Sequence, residues 1–202
     1  MEKYRLLYID DDIEPSLSEY LDRTLPDIAL SIGIELECKE LLFEPAKGYQ
    51  NLLQSPIVLS SNIILIDSRL FEERTASESK FTGEEFKLVL RKYYPFIEVV
   101  VITQNGADES VRTISKYTSE CGKTPKEYYD EVLPKCIFEA IAQNRIYRKL
   151  AIKLEENDSW EPVLKEKIIG TLKGTGTFDE LTKGDIDTLV RAFKEIMVQY
   201  DE

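Results

Sequence analysis

The chain has 202 residues, 43% of them hydrophobic and 32% charged, with 9 Gly and 8 Pro, a mix that excludes collagen-like, low-complexity and wholly disordered chains. Lys plus Arg number 26 against 38 Asp plus Glu, for a net charge of −12; this repels phosphate backbones and anionic lipid surfaces, so neither nucleic acid nor membrane is an expected partner. Histidine is absent, which removes Ser-His and Cys-His catalysis and imidazole ligation and leaves carboxylates, hydroxyls and lysines to do any chemistry.

In chain order, Tyr4 to Ile9 is a β-prone run that stops at Asp10-Asp11-Asp12, and Pro15-Ser16 opens a helical pattern through Leu17, Tyr20, Leu21 and Leu25. Ile34 to Lys39 alternates apolar and polar residues as a second strand would, and Tyr49 to Leu53 suggests a short helix. Asn62 to Ile66 and Ile97 to Ile102 are dense in β-branched residues, the signature of parallel strands covered on both faces; they end at Asp67 and Thr103. Between them a polar stretch, Glu72 to Thr82, precedes Gly83 and a helical segment through Phe86, Leu90 and Tyr93. A helix is expected over Asp108 to Tyr117, a fifth strand at Val132-Leu133, and a long helix from Ile137 to about Glu155. Strands alternating with helices predict an α/β fold with a doubly wound five-stranded parallel sheet.

Asn157-Asp158-Ser159 marks a boundary between a domain of residues 1–157 and a C-terminal extension, 158–202. In the extension, Trp160, Leu164, Ile168 and Leu172 recur every four residues. Ile186, Leu189, Val190, Phe193, Ile196, Met197 and Tyr200 draw a second apolar stripe beyond the Gly174-to-Thr177 joint. The pattern predicts a helical hairpin whose stripe is buried on the same chain, on a protein partner or in self-association. No run approaches the roughly 20 apolar residues of a membrane span, and the N-terminus lacks a signal-peptide core, so a cytoplasmic protein is expected. Three cysteines without Cys-x-x-Cys spacing indicate neither a disulfide framework nor a zinc site.

In an open parallel sheet the loops at the carboxyl ends of the strands build the site. Those ends carry Asp10-Asp11, Asp67, Thr103 and, after the expected fifth strand, Lys135. Converging carboxylates require a hard cation, and an all-oxygen set suits Mg²⁺. A carboxylate beside such an ion can attack a phosphoryl group while a hydroxyl and an ammonium compensate the charge on the transferred oxygens. Asp67, Thr103 and Lys135 have that chemistry.

The ordered set resembles the receiver domain of two-component response regulators. Leu6 to Asp12 resembles its first strand and acidic pair, Ile63 to Asp67 its third strand and phosphoacceptor, Phe81 to Arg91 its Gly-opened third helix, Val99 to Thr103 its fourth strand and switch hydroxyl, and Val132 to Lys135 its fifth strand and lysine. The resemblance spans residues 4 to 155 and implies the flavodoxin-like receiver fold. It also implies phosphorylation of Asp67 by a histidine kinase or phosphotransfer protein, and Mg²⁺ held by Asp10, Asp11, Asp67 and the Arg69 backbone carbonyl. Thr103 and Lys135 would engage the phosphoryl group, and the helical C-terminus would act on a protein effector. The expected role is signalling, with enzymatic chemistry confined to the domain's own phosphorylation and dephosphorylation.

Leu70, Gln104, Val132 and Cys136 depart from the family pattern, and the 32 residues from Thr103 to Lys135 are a stretched spacing. Two alternatives remain at this level. One is a pseudo-receiver serving as a phosphorylation-independent interaction scaffold. The other, ranked lower, is a haloacid-dehalogenase-like phosphatase using Asp10 and Asp12, which needs a late acidic pair that only Asp185 and Asp187 could supply.

Overall fold

The computed structural model of the chain describes residues 1–44, 48–70, 83–104, 113–157, 159 and 162–173. Five strands, β1 (Glu2–Asp10), β2 (Ile34–Leu42), β3 (Ile63–Asp67), β4 (Glu98–Thr103) and β5 (Thr113–Ser115), form one sheet in the order β2-β1-β3-β4-β5. Every neighbouring pair is parallel. This is the flavodoxin-like receiver fold, a doubly wound sheet as the alternating pattern predicts.

Alternation along the strands divides the core in two. Tyr4, Leu6 and Tyr8 of β1, with Ile63 and Leu65 of β3 and Val100 and Ile102 of β4, face one layer of helices. That layer is α1 (Pro15–Glu19), which runs through a π-helical turn (Tyr20–Thr24) into α2 (Leu25–Ser31), together with α6 (Pro125–Glu155). Leu7, Ile9, Ile64, Ile66, Val99 and Val101 face the other, which includes α3 (Gly48–Leu53), α4 (Pro56–Leu59) and α5 (Gly83–Tyr93). The π turn has a local cause. Pro26 has no N–H to give to the carbonyl four residues back and would collide with it, so the helix widens one turn earlier.

Two sequence expectations change here. The fifth strand is not Val132-Leu133 but Thr113–Ser115, paired Val101 to Thr113 and Thr103 to Ser115; this part of the expected 108–117 helix is extended, and residues 108–112 lie outside the described ones. Val132 and Leu133 are helical. Their helix starts at a capping box, where the Glu127 N–H donates to Thr124 Oγ1 at 3.3 Å and the Thr124 N–H donates to Glu127 Oε2 at 2.9 Å, with Pro125 in the first turn. Tyr129, Leu133, Ile137, Ala140, Ile141 and Asn144 then bury one helical face. Pro134 costs only the bond to the Asp130 carbonyl, and Asp130 is exposed.

The carboxyl edge of the sheet is where registers matter. Ile9 pairs with Ile66, Asp67 with Ile102 and Thr103 with Ser115, so Asp10, Asp67, Thr103 and Lys116 emerge side by side. At the opposite, amino-terminal half of the β1–β2 edge, Lys3 pairs with Glu35 at 2.8 Å, Arg5 with Glu37 at 3.1 Å and Lys39 with Glu37 at 2.9 Å. Beyond α6, α7 (Pro162–Lys173) packs back on it, and Lys165 donates to the Glu155 carbonyl at 2.7 Å. The expected second arm, 186–200, and the Gly174-to-Thr177 joint lie outside the described residues, as do Glu72 to Thr82. No helix among the described residues is long and apolar enough to cross a membrane.

The capping box carries the α6 start, so Thr124→Ala is expected to lower stability by about 1 kcal/mol, a fall in melting temperature of about 2–4 °C for a chain of this size. Thermal unfolding by circular dichroism checks this; an unchanged midpoint would place residue 124 outside a helix cap.

Candidate functional site: an acidic triad bridged by a lysine

The short turn from β1 into α1 carries Asp10, Asp11 and Asp12. Asp10 is buried at the strand end, where its carbonyl accepts from the Phe43 N–H at 2.8 Å, and Asp11 is exposed. Asp67 is buried at the end of β3. One carboxylate oxygen from each of Asp10, Asp11 and Asp67 lies within 4.8 Å of the others. Between the two buried carboxylates sits the Lys116 ammonium, donating to Asp10 Oδ2 at 2.8 Å and to Asp67 Oδ1 at 2.7 Å; the side chains are 10%, 1% and 6% exposed, respectively.

Backbone geometry holds this lysine. Its N–H donates to the Thr103 carbonyl at 2.7 Å. The first turn of α6 grips the residues on either side: the Tyr128 hydroxyl donates to the Ser115 carbonyl at 2.9 Å, and the Tyr117 N–H donates to the Tyr129 hydroxyl oxygen at 3.2 Å. Tyr129 in turn donates to Glu14 Oε2 at 2.7 Å, tying the lysine strand to the start of α1.

The acceptor side is equally constrained. Asp67 Oδ2 takes the Arg69 N–H at 2.7 Å, and the Ser68 hydroxyl donates to Thr103 Oγ1 at 3.0 Å. Gly83, the first residue of α5, comes so close that a Cβ there would lie 2.5 Å from the Asp67 carbonyl oxygen, which only a residue without a side chain avoids. The Gly83 N–H also closes the loop by donating to the Ser68 carbonyl at 2.9 Å.

Burial pushes the Asp67 carboxyl above the ordinary carboxylate range, opposed by Lys116. Desolvation raises Asp11 too, reinforced by its contact with Asp10. Burial acts against the Lys116 charge, but its bonds to Asp10 and Asp67 outweigh that and hold the ammonium above its usual range. Three carboxylates against one ammonium leave two formal negative charges in a set made wholly of oxygen donors. Such a set fits a divalent hard cation, Mg²⁺ among them.

The structure thus brings together Asp10, Asp11, Asp67 and Thr103, with Arg69 beside Asp67 through its N–H. Lys135 is not among them. It lies exposed on α6, and Lys116 stands where the fifth-strand lysine was expected, 13 residues after Thr103 instead of 32. The cause is the misplaced strand: three residues are too few to show a strand period, although Thr113-Ile114 directly before a polar Ser-Lys is a β-branched signal. Ser68 and Tyr8 also escaped the sequence reading. Asp12 is exposed and outside the triad, and Asp185 and Asp187 lie outside the described residues.

Removing the shared ammonium leaves two buried carboxylates facing each other. Lys116→Met is expected to cost about 3–5 kcal/mol near neutral pH, whereas Lys135→Met should stay within about 0.5 kcal/mol of the parent. Without the ammonium the folded-state Asp67 carboxyl rises further above its unfolded value, so the protonated form is the stable one. The deficit of Lys116→Met should therefore shrink as pH falls through the carboxylate range. Urea denaturation across pH measures both; a deficit that grows on acidification would contradict the geometry.

No protein-family model matches the chain, and no curated protein matches it. Among solved structures it is similar to RcsB from Salmonella enterica serovar Typhimurium bound to promoter rprA in the presence of phosphomimetic BeF3⁻. That likeness has 13% identity and a TM-score of 0.40, over 68% of this chain and 98% of that one. It is also similar to a two component transcriptional regulator AraC from Clostridium phytofermentans, at 18% identity and a TM-score of 0.38 over 71% and 98% of the two chains. A third is the BeF3 activated DrrB receiver domain, at 15% identity and a TM-score of 0.37 over 70% and 99%. The flavodoxin-like strand order and the acidic carboxyl edge of the sheet are read from this chain's own geometry.

Proposed function

We propose that the chain is a divergent two-component receiver whose switch is phosphorylation of Asp67. The observation that carries this reading is the convergence of a buried Asp67 with Asp10, Asp11 and Lys116 at the carboxyl edge of a 2-1-3-4-5 sheet. An Asp67 carboxylate oxygen attacks the phosphorus of a phosphohistidine or an acyl phosphate. An O–P bond forms, the bond to the imidazole nitrogen or acyl oxygen breaks, and the leaving group departs with its electron pair. Asp10, Asp11 and Asp67 would hold Mg²⁺, with the Arg69 carbonyl as a further ligand, and the ion would supply charge compensation on the transferred oxygens. Lys116 takes the role the sequence assigned to Lys135. Its ammonium, already on Asp67 Oδ1, pairs with the new phosphoryl charge, and the Thr103 hydroxyl, aligned by Ser68, donates to it.

The donor is a histidine kinase or phosphotransfer protein. The strongly acidic balance argues for a protein effector over DNA. Output would pass from residues 1–157 to the extension, 158–202, whose first helix α7 is seated on α6. The Lys116 clamp made by Tyr128 and Tyr129 supports this route, because displacement of the lysine pulls directly on the first turn of α6.

With Mg²⁺ and beryllofluoride at a hundredfold excess over their Kd, the parent should gain about 2.7 kcal/mol, a melting rise of about 5–10 °C. Asp67→Asn should gain none. Intact mass after treatment with an acyl phosphate should show one added phosphoryl group on the parent alone. Absence of both responses would leave the scaffold reading, and phosphate-ester turnover abolished by Asp10→Asn would favour the phosphatase.

A further inference from the structure

Tyr8 lies in the middle of the apolar run Leu6 to Ile9, fully buried, yet its hydroxyl is aimed at the acidic edge. It donates to Asp10 Oδ2, the same oxygen that Lys116 contacts. A carboxylate can only accept, so the single proton of the phenol is directed to Asp10. The other Asp10 oxygen, Oδ1, accepts from the Asp12 N–H at 3.1 Å. Asp10 is therefore held by a donor within its own strand, a donor within its own loop, and an ammonium that it shares with Asp67.

The three donors are not equivalent. Lys116 is divided between two carboxylates and, on the receiver reading, is drawn toward the phosphoryl group after transfer. Tyr8 has no such competitor, because its ring is fixed in the core between α1 and α6. We propose that Tyr8 is a positioning residue for the cation site: its hydroxyl keeps the Asp10 carboxylate aimed into the triad when Lys116 leaves it. Partners behind a metal ligand fix its orientation, and their loss typically weakens metal binding by about 10–100-fold. This inference rests on the receiver reading of the triad, and it adds a residue that the apolar pattern of β1 hides.

The test is isothermal titration of the full-length protein with Mg²⁺ alone, repeated with Mn²⁺ and followed by the electron-spin signal of the free ion. Tyr8→Phe, which keeps the ring and removes the hydroxyl, is expected to weaken both ions about tenfold or more. The rate of phosphorylation by an acyl phosphate should fall at limiting Mg²⁺ and recover at saturating Mg²⁺, a split that a packing defect would not produce. Equal affinities in parent and Tyr8→Phe would overturn the role of Tyr8 while leaving the triad intact. A parent that binds neither ion would overturn the cation reading and this inference with it. Should Tyr8→Phe fail to fold, Tyr8→3-fluorotyrosine retains ring and hydroxyl. Its fluorine NMR signal is expected to shift on addition of Mg²⁺, and a signal that does not move would also overturn the proposal.

Discussion

One ammonium between two buried carboxylates organises this molecule. Asp10 and Asp67 end adjacent parallel strands, so the sheet itself forces their charges together, and neither is solvated enough to relieve the repulsion. Lys116 resolves the conflict from a third strand. Its position depends on β5 pairing in one register with β4, because a slip of one residue would turn the lysine to the other face of the sheet. The aromatic first turn of α6, the Thr103 carbonyl and the Glu14 carboxylate all act on the short segment that delivers it.

The same arrangement explains why the two layers of the core meet at this edge. The core between the sheet and the layer of α1 and α6 holds Tyr8 of β1 and Tyr129 and Tyr128 of α6, whose rings pack there while their hydroxyls serve the acidic turn and the lysine strand. The opposite layer supplies Gly83, whose missing side chain lets α5 close against the Asp67 backbone. Electrostatics and packing are thus not separable near the site: the residues that bury apolar area also fix the charged groups.

Much of this was legible in the sequence. β1, β3 and β4 are written as apolar and β-branched runs because both of their faces are covered, and their polar terminators, Asp10, Asp67 and Thr103, fall where a parallel sheet gathers its loops. β5 was not legible. Three residues carry no period, and the residues before it mimic a helix. The capping signal Thr124-x-x-Glu127 stood in plain view, but Val132-Leu133 was read as a strand since an apolar pair is ambiguous between the two states. Lys116 therefore lies 19 positions before Lys135, the lysine that a strand at Val132-Leu133 would bring to the edge. Tyr8 was hidden for a different reason: a tyrosine in an apolar run reads as core, and only the three-dimensional return of the Asp10 carboxylate gives its hydroxyl a partner.

The cross-strand ion pairs along β1 and β2 have a consequence for assembly. β2 is an outer strand nine residues long, a length at which unpaired backbone groups would readily template another chain. Glu35 and Glu37 are matched to Lys3 and Arg5 of β1, and Lys39 to Glu37 within β2 itself, so the outer strand carries charged side chains of both signs. Charged side chains along an outer strand are a device by which sheets discourage edge-to-edge growth, and β2 carries that device along its length.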